Sequence, residues 1–302
     1  MGISVMYEVG IVTVVIPCYN QSKFLCEAIE SVQKQSYNRH EIIVVNDGST
    51  DNTSEVAKQF FNVRLIEQTN MGLAHARNVG LLESKGEFLV FLDADDRLLP
   101  NAFEISVKSL QDHPESAFVS GFCVYLSPNG KRQTFLAQPG FSFNSDHYLA
   151  LLRKNYIWSP ANVMYRRKLF DQITGFDATV NPAADYELYL RVARQFPIHQ
   201  HGEIVAEYRQ HDTSMSSNPG LMLKNVLKVL EKQREYVKMN AAYRKAFKQG
   251  IAFYFYFYGK GIIYYLFYSL IKLDFKKAIC GISMFSNYIK LLFKYLLIKI
   301  PK

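Results

Sequence analysis

Four short apolar runs in the first hundred residues, each broken off by polar turn residues, constrain this chain more than any other feature. They are Ile11 to Ile16 (IVTVVI), Glu41 to Val45 (EIIVV), Val63 to Glu67 and Phe88 to Leu92. Runs this short, rich in β-branched residues and without polar alternation, suit strands buried on both faces. Segments of helical spacing separate them. The first opens at Ser22, a candidate N-cap, and reaches about Gln35 with Phe24, Leu25, Ala28, Ile29 and Val32 on one face; the others run to about Phe60 and from Gly72 to about Ser84. A βαβαβαβ series predicts a parallel sheet with right-handed crossovers. Its first strand is expected to stop at Pro17, which cannot donate to a ladder.

A sheet of this kind holds ligands beyond the carboxyl ends of its strands. The loops that fall there are Pro17-Cys18-Tyr19-Asn20, the loop opening at Asn46-Asp47-Gly48, Thr69 to Gly72, and Asp93 to Asp96. The last is the most telling, because in EFLVFLDADDR (Glu87 to Arg97) an apolar strand gives way at once to Asp93, Asp95 and Asp96. Nothing in folding asks for that density of charge. On extended chain Asp93 and Asp95 project to the same side, and paired oxygen donors there suit Mg or Mn bridging the phosphates of a nucleotide. The local alternative is an acidic turn that caps the next helix, a role that suits Asp96 in particular. Neither a dinucleotide fingerprint nor a phosphate-cradling loop ending in Gly-Lys-Ser/Thr follows the first strand, so dehydrogenase and ATPase readings lose their main support. Phosphates would have to be held by metal and side chains.

Residues 101–220 are mixed. A helix to about Asp112, a hairpin of Ala117–Leu126 and Lys131–Leu136 about a Ser127-Pro128-Asn129-Gly130 turn, and a helix over Asp146–Lys154 are expected. Asn162–Tyr165 should be a short strand before a helix at Arg167–Gln172, and Ile204–Tyr208 a final strand. Leu188 and Val192 recur at helical spacing and place Asp185 at a helix N-terminus, facing solvent or a cleft.

PCYN, VNDGSTDNT, NMGLAHARNVG and FLDADD, followed by Gly175-Phe176-Asp177, Asp185-Tyr186-Glu187-Leu188 and Tyr208-Arg209-Gln210-His211, stand in the order of a known family. Over residues 11–217 the chain resembles the inverting family 2 glycosyltransferases of the GT-A fold. That resemblance implies an α/β, Rossmann-like, mostly parallel sheet flanked by helices, with a catalytic domain over 1–220 whose nucleotide-binding half is 1–100 and acceptor half 101–220. It implies that Pro17, Tyr19 and Asn20 line the base pocket of a nucleotide-sugar donor, that Asp47 bonds the base, commonly uracil, and that Arg77 lies along the diphosphate. Asp93 would meet the ribose or metal region, Asp95 the metal, and His211 the metal or diphosphate. Asp185 would be the catalytic base, with Glu187 a fallback or an acceptor contact. The chemistry agrees with those residue types, since inverting transfer needs a carboxylate at the acceptor hydroxyl and a cation at the departing diphosphate. One departure is Ala184, where the family usually has an acid before its base. A sugar nucleotidyltransferase and a catalytically silent binding protein of the same fold are the competing readings; the former normally carries a glycine-rich basic loop that PCYNQ does not supply.

Bland roles compete at single positions. Asp47 could simply open a turn, Arg77 could be a surface cation near Glu83, Tyr19 could be loop packing, and His211 could be packed without function. Trp158, the only tryptophan, would serve as an acceptor platform or as core.

The charge lies at the other end. Residues 221–302 carry 16 Lys and Arg against Glu231, Glu235 and Asp274, a balance of +13; the totals of 35 and 27 leave 19 basic and 24 acidic residues before them, a balance of −5. With no recognition motif beside it, this charge ranks nucleic acid below an anionic membrane surface. Leu221 to about Gly250 reads as a charged amphipathic helix. Beyond it the apolar runs Phe253–Tyr258 and Ile262–Ile271 are interrupted by Gly259-Lys260-Gly261 and fall short of the ~20 residues a bilayer crossing takes. Interfacial helices continuing to Ile300 are expected, packing on the catalytic domain or a homodimer interface being the alternatives. Cys18, Cys26, Cys123 and Cys280 show no ligand-like or disulfide pattern, which suggests a reducing compartment. No secretory signal opens the chain, and Gly2 lacks the Ser or Thr that myristoylation expects where Met6 stands. The expected place is the cytoplasm, peripheral on the inner face of a bacterial membrane, and the expected acceptor is lipid-linked or a polysaccharide.

Overall fold

The computed structural model describes residues 7–127, 129–135, 146–211 and 214–297. Gly2, Met6, Pro128 of the expected turn, Leu136 of the return strand and Ile300 of the tail lie outside the described residues. The chain divides into two compact units. The first holds residues 1–145 and 157–212, and the second holds Asp146–Tyr156 with everything from Thr213 on.

In the first unit, β1 (Glu8–Cys18), β2 (His40–Asp47), β3 (Val63–Gln68) and β4 (Gly86–Phe91) form a parallel half-sheet in the order β3-β2-β1-β4. Helices α1 (Ser22–Gln33), α2 (Thr53–Lys58) and α3 (Leu73–Glu83) make the crossovers. The apolar runs fall where the pattern put them, because both faces are covered. Val12, Val14 and Ile16 pack with Ile42, Val44, Phe88 and Val90 against Leu25 and Ile29 of α1, while Val15 on the other face lies under Gly80 of α3. Each such buried aliphatic or aromatic side chain contributes about 1.5–3 kcal/mol of transfer free energy.

The strand does not stop at Pro17, as expected, but runs to Cys18, with Pro17 opposite Val45. Val15 O accepts from Leu92 N at the end of the β4 pairing. Side alternation then points the missing N–H of Pro17 to the β4 side beyond that last ladder bond, so no β1–β4 pairing among the described residues is lost.

The second half of the sheet is mixed. After the two-residue β5 (Arg97–Leu98) and helix α4 (Ala102–Asp112) come β6 (Phe118–Leu126) and β7 (Arg132–Phe135). β8 (Val163–Arg166), α6 (Ala184–Ala193) and β9 (His199–Arg209) complete the unit, and the order continues β4-β8-β6-β9-β5 with β7 on β6. β8 runs antiparallel to β4, so the parallel half ends there. The expected helix at Arg167–Gln172 is a 3-10 turn over Arg167–Asp171, and the last strand begins five residues earlier than its apolar stretch, because pairing with β6 recruits His199 and Gln200.

In the second unit, α5 (His147–Arg153) packs on α8 (Ala241–Ile271), which also packs between α7 (Pro219–Val237) and α9 (Phe275–Leu297). Tyr148 meets Tyr243 edge-on at 5.1 Å, and Asn155 N donates to the Tyr254 hydroxyl at 2.7 Å. The single charged helix expected from Leu221 is two, with a break whose Asn240 side chain caps α8 at Ala242 N and Tyr243 N. Conversely, Gly259-Lys260-Gly261 breaks nothing. A Cβ on Gly259 would stand 2.9 Å from the Tyr288 ring, so glycine there is the seat for α9 and outweighs its helix penalty of about 1 kcal/mol. Among the described residues no helix is long and apolar enough to cross a membrane.

Candidate active site

The loops after β1, β2, β3 and β4 meet at one sheet edge, and side chains from each hold the next. Asn20, at φ 52°, accepts from Thr50 N at 2.8 Å through Oδ1, while its own N–H donates to Ser49 Oγ at 3.0 Å. Asp51 Oδ2 accepts from Ser22 N at 2.9 Å and Oδ1 from Thr53 N at 3.2 Å. Ser22 is therefore the first helical residue, not the N-cap, and an aspartate from the neighbouring loop satisfies its free N–H. Burial alone would raise the Asp51 pKa, but hydrogen bonds from Thr53 and Ser22 hold it below the usual carboxylate range.

Asp47, 3% exposed, clasps the loop after β3. Its Oδ1 accepts from Gln68 Nε2 at 2.6 Å and Met71 N at 2.9 Å, and Oδ2 from Gly72 N at 2.8 Å. Three of about four lone-pair positions are thus spent inside the chain, leaving one for a base. Gly48, at φ 73°, lets that loop approach, since a Cβ would sit 2.7 Å from Asn70 N. Pro17 is buried within β1, whereas Tyr19 stands half exposed beside Asn20.

The acidic loop is built differently. Arg77 comes from α3 and is 2% exposed; its Nη2 donates to Asp93 Oδ1 at 2.6 Å and its guanidinium lies 5.2 Å from the Phe176 ring centre. It is no surface cation, Glu83 being paired with Arg64, and its bond to Asp93 uses Nη2 alone, leaving the buried Nε without a partner among the described residues. Burial works against its charge, but Asp93 and Asp185 outweigh that and raise its pKa. Asn78, next on α3, pins Phe176 by donating to its carbonyl at 2.9 Å and accepting from its N–H at 2.7 Å.

Asp95 Oδ2 stands 2.9 Å from His211 Nε2 and 3.5 Å from Gln21 Nε2. Burial and then the charge of Asp93 push its pKa up. His211 stacks on Phe24 at 4.9 Å, and Arg209 lies over the same ring at 4.8 Å while its side chain bonds Glu27. Asp96 is not a helix cap: α4 starts at Ala102, and the buried Asp96 carboxylate accepts from Ser159 Oγ and Arg209 N, both at 2.9 Å. Burial, with Asp95 and Asp93 behind it, raises its pKa strongly.

Asp185 is the second residue of α6 and half-buried. Packing around its carboxylate raises its pKa and the Arg77 charge opposes the rise. Ala184 beside it is buried. Glu187 is committed elsewhere, its carboxylate 7% exposed and bidentate on Arg191, which is anchored in turn on the carbonyls of Thr174 and Gly175. Its expected place as fallback base or acceptor contact would require giving up this two-point pairing. Trp158, 37% exposed, adjoins the Ser159 that holds Asp96.

Asp93, Asp95, Asp185, Arg77 and His211 are thus gathered around the end of β4. Asp51, Asn78 and Gln21 escaped sequence reasoning; an Asn inside a helix and an Asp just before one were the only signals. Among the described residues no three His, Cys, Asp or Glu side chains are arranged to hold a metal ion. Asp95 with His211 offers one oxygen and one nitrogen, a partial donor set that Mg or Mn could complete with phosphate oxygens and water.

The chain thus carries a parallel half-sheet with an acidic edge and a carboxylate from α6 near it. The family model for glycosyl transferase family 2 matches residues 13–174, more than half of the chain, and the chain belongs to that family. Glycosyltransferase GlyG of Streptococcus pneumoniae is 35% identical over 125 residues, 40% of this chain and 42% of GlyG. The uncharacterized glycosyltransferase EpsJ of Bacillus subtilis is 27% identical over 224 residues, 70% of this chain and 64% of EpsJ. The chain thus spans less than two thirds of either relative. Among solved structures, S. aureus TarS 1-349 in complex with UDP-GlcNAc is similar with TM-score 0.60 and 17% identity, covering 92% of this chain and 91% of that one. Mannosyltransferase PcManGT from Pyrobaculum calidifontis, in complex with GDP-Man and Mn2+, has TM-score 0.58 at 18% identity over 95% and 87%. At these identities the structures establish the fold.

Proposed function

We propose that this chain is an inverting glycosyltransferase that moves a sugar from a nucleotide-sugar, most simply a UDP-sugar, to a lipid-linked or polysaccharide acceptor at the inner face of a cell membrane. The observation that carries the reading is the division of labour at the β4 edge. Asp93 and Asp95 are paired with Arg77 and His211, while Asp185 comes from a different element, α6, with no ion pair of its own among the described residues but within reach of the Arg77 charge. Asp185 accepts the proton of the acceptor hydroxyl as that oxygen attacks the anomeric carbon; the bond to the diphosphate breaks on the opposite face, inverting the centre. Arg77 keeps Asp93 oriented and favours the ionised form of Asp185. A divalent cation, Mg or Mn, bound by Asp95 and His211 would neutralise charge on the departing diphosphate. Tyr19 and Asn20 flank the base, and Trp158 is offered to the acceptor sugar. Relatives named as glycosyltransferases and fold neighbours bound to UDP-GlcNAc or GDP-Man support the donor class.

The test is thermal unfolding of the chain with UDP-sugars and GDP-sugars, with and without Mn or Mg. A ligand at 100 times its Kd adds about 2.7 kcal/mol to native stability, a readily measured rise in Tm. Absence of a shift with every donor would overturn the reading, and a shift that needs no metal would remove the cation from it.

A further inference from the structure

The distal end of the α8–α9 pair exposes apolar side chains after the two helices have packed together. Tyr264, Phe267, Ile271, Leu273, Phe275 and Ile279 are each 60–77% exposed. The seam is already filled, since a Cβ on Gly281 would stand 3.0 Å from Leu266 Cα and Ser269 is buried against its own helix at Tyr265 O. Positions 264, 267 and 271 lie on one stripe of α8, and 275 and 279 on one stripe of α9. A contiguous apolar surface larger than a few hundred Å2 marks a binding face.

The charge beside that face selects its partner. From Ile251 to Leu297 there are six lysines and a single acid, Asp274. That acid is used internally, accepting from Lys277 N at 3.0 Å and pairing with Lys277 Nζ at 3.4 Å. Lys272, Lys276 and Lys277 are exposed within or beside the turn that carries Leu273 and Phe275. A second copy of the chain would set these cations against one another, whereas anionic headgroups complement them. No described helix can span a bilayer, so the fitting mode is an interfacial one.

We propose that this end of α8–α9 docks on an anionic phospholipid bilayer, with Phe267, Ile271, Leu273 and Phe275 in the headgroup–acyl boundary and Lys272, Lys276 and Lys277 at the phosphates. The inference gives a surface to the membrane location proposed above, but its readout is separate from the transfer reaction. Vesicle binding is measured without donor and donor-induced thermal shift without vesicles.

The full chain is floated with phosphatidylcholine vesicles and with phosphatidylcholine–phosphatidylglycerol vesicles. Binding is expected to the second, to be released by salt, and to fall on the order of a hundred-fold in Lys272→Gln/Lys276→Gln/Lys277→Gln. Phe267→Ser/Ile271→Ser should abolish flotation while circular dichroism, Tm and donor-induced shift stay at wild-type values. In Ile271→Trp, brominated lipid should quench emission beyond the wild-type background from Trp158. Three results would each overturn the proposal: no flotation of the wild type, undiminished flotation of the serine variant, or a dimer in sedimentation that the serine substitutions dissociate.

Discussion

The loop after β2 and the loop after β4 lie at one sheet edge and are both rich in aspartate, yet their carboxylates do opposite work. Asp47 and Asp51 accept chiefly from backbone N–H groups of neighbouring segments, so their charge is consumed in fixing loop shape. Asp93 and Asp95 face side chains instead, Arg77 and His211, and stand close enough for the charge of one to raise the pKa of the other. Backbone partners make a carboxylate scaffolding; side-chain partners and a like charge leave it with electrostatic free energy that a ligand or cation can relieve. Asp96, in the second loop, falls between the groups: it accepts from a backbone N–H of Arg209 and a side-chain hydroxyl of Ser159, while burial and the charges of Asp95 and Asp93 raise its pKa.

The largest effect that would sharpen this contrast is at Asp185. Asp185→Asn removes a proton acceptor without removing shape, so kcat at saturating donor should fall about 10²–10⁴-fold. Tm and the donor-induced shift should hold. Because burial raises the Asp185 pKa, the acid limb of the wild-type rate profile should lie above the ordinary carboxylate range. Transfer by the Asn variant at the wild-type rate would dismiss Asp185 as base.

Arg77→Met comes next. Removing Arg77 leaves the partly exposed Asp93 carboxylate without its partner, which should cost about 1–3 kcal/mol, read as a lower denaturant midpoint. Arg77 lowers the Asp185 pKa, so its loss should also move the acid limb to higher pH. A variant that lost activity with unchanged stability and an unchanged limb would return Arg77 to a direct diphosphate contact.

Much of this was legible beforehand, and its limits have physical causes. The four strands, their loops and the separation of Asp93 and Asp95 from Asp185 are local or periodic features, set by alternation and turn chemistry. The depth of Arg77 was not, because helical spacing cannot tell which side of α3 Phe176 will close over, and that closure is made by Asn78 from 98 residues away. The pairing of Asp51 with Ser22 is likewise a contact between loops that only the finished sheet brings together. Gly259-Lys260-Gly261 resembled an interruption until the Tyr288 ring supplied the reason for its glycine.

Asp47→Ala tests the scaffolding side. It strands Met71 N, Gly72 N and Gln68 Nε2, and although partly exposed Met71 can turn to water, about 2–4 kcal/mol of stability should go. Amide exchange at Met71 and Gly72 should quicken, and Asp47→Asn, which keeps one acceptor oxygen, should lose roughly half as much. Wild-type stability in Asp47→Ala together with weakened donor binding would move Asp47 across to the working group.

The smallest expected effect has the opposite sign. The native pKa of Asp96 is raised, so the folded chain holds that proton to higher pH than the unfolded chain does. Stability from this group is present at acid pH, and declines as pH rises from about 4, the unfolded value, through the raised native one. The amide introduced by Asp96→Asn does not titrate. In that variant the side-chain oxygen can still accept from Arg209 N, and the new amide can donate to Ser159 Oγ, since a hydroxyl accepts as readily as it donates. The variant should therefore fall within about 1 kcal/mol of wild type at acid pH, the cost of rearranging one hydrogen bond, and gain on it steadily as pH rises. Denaturant midpoints of the two proteins measured across that range would decide. Parallel curves would mean that Asp96 is ionised at little cost, and would place it with Asp47 and Asp51 as scaffolding.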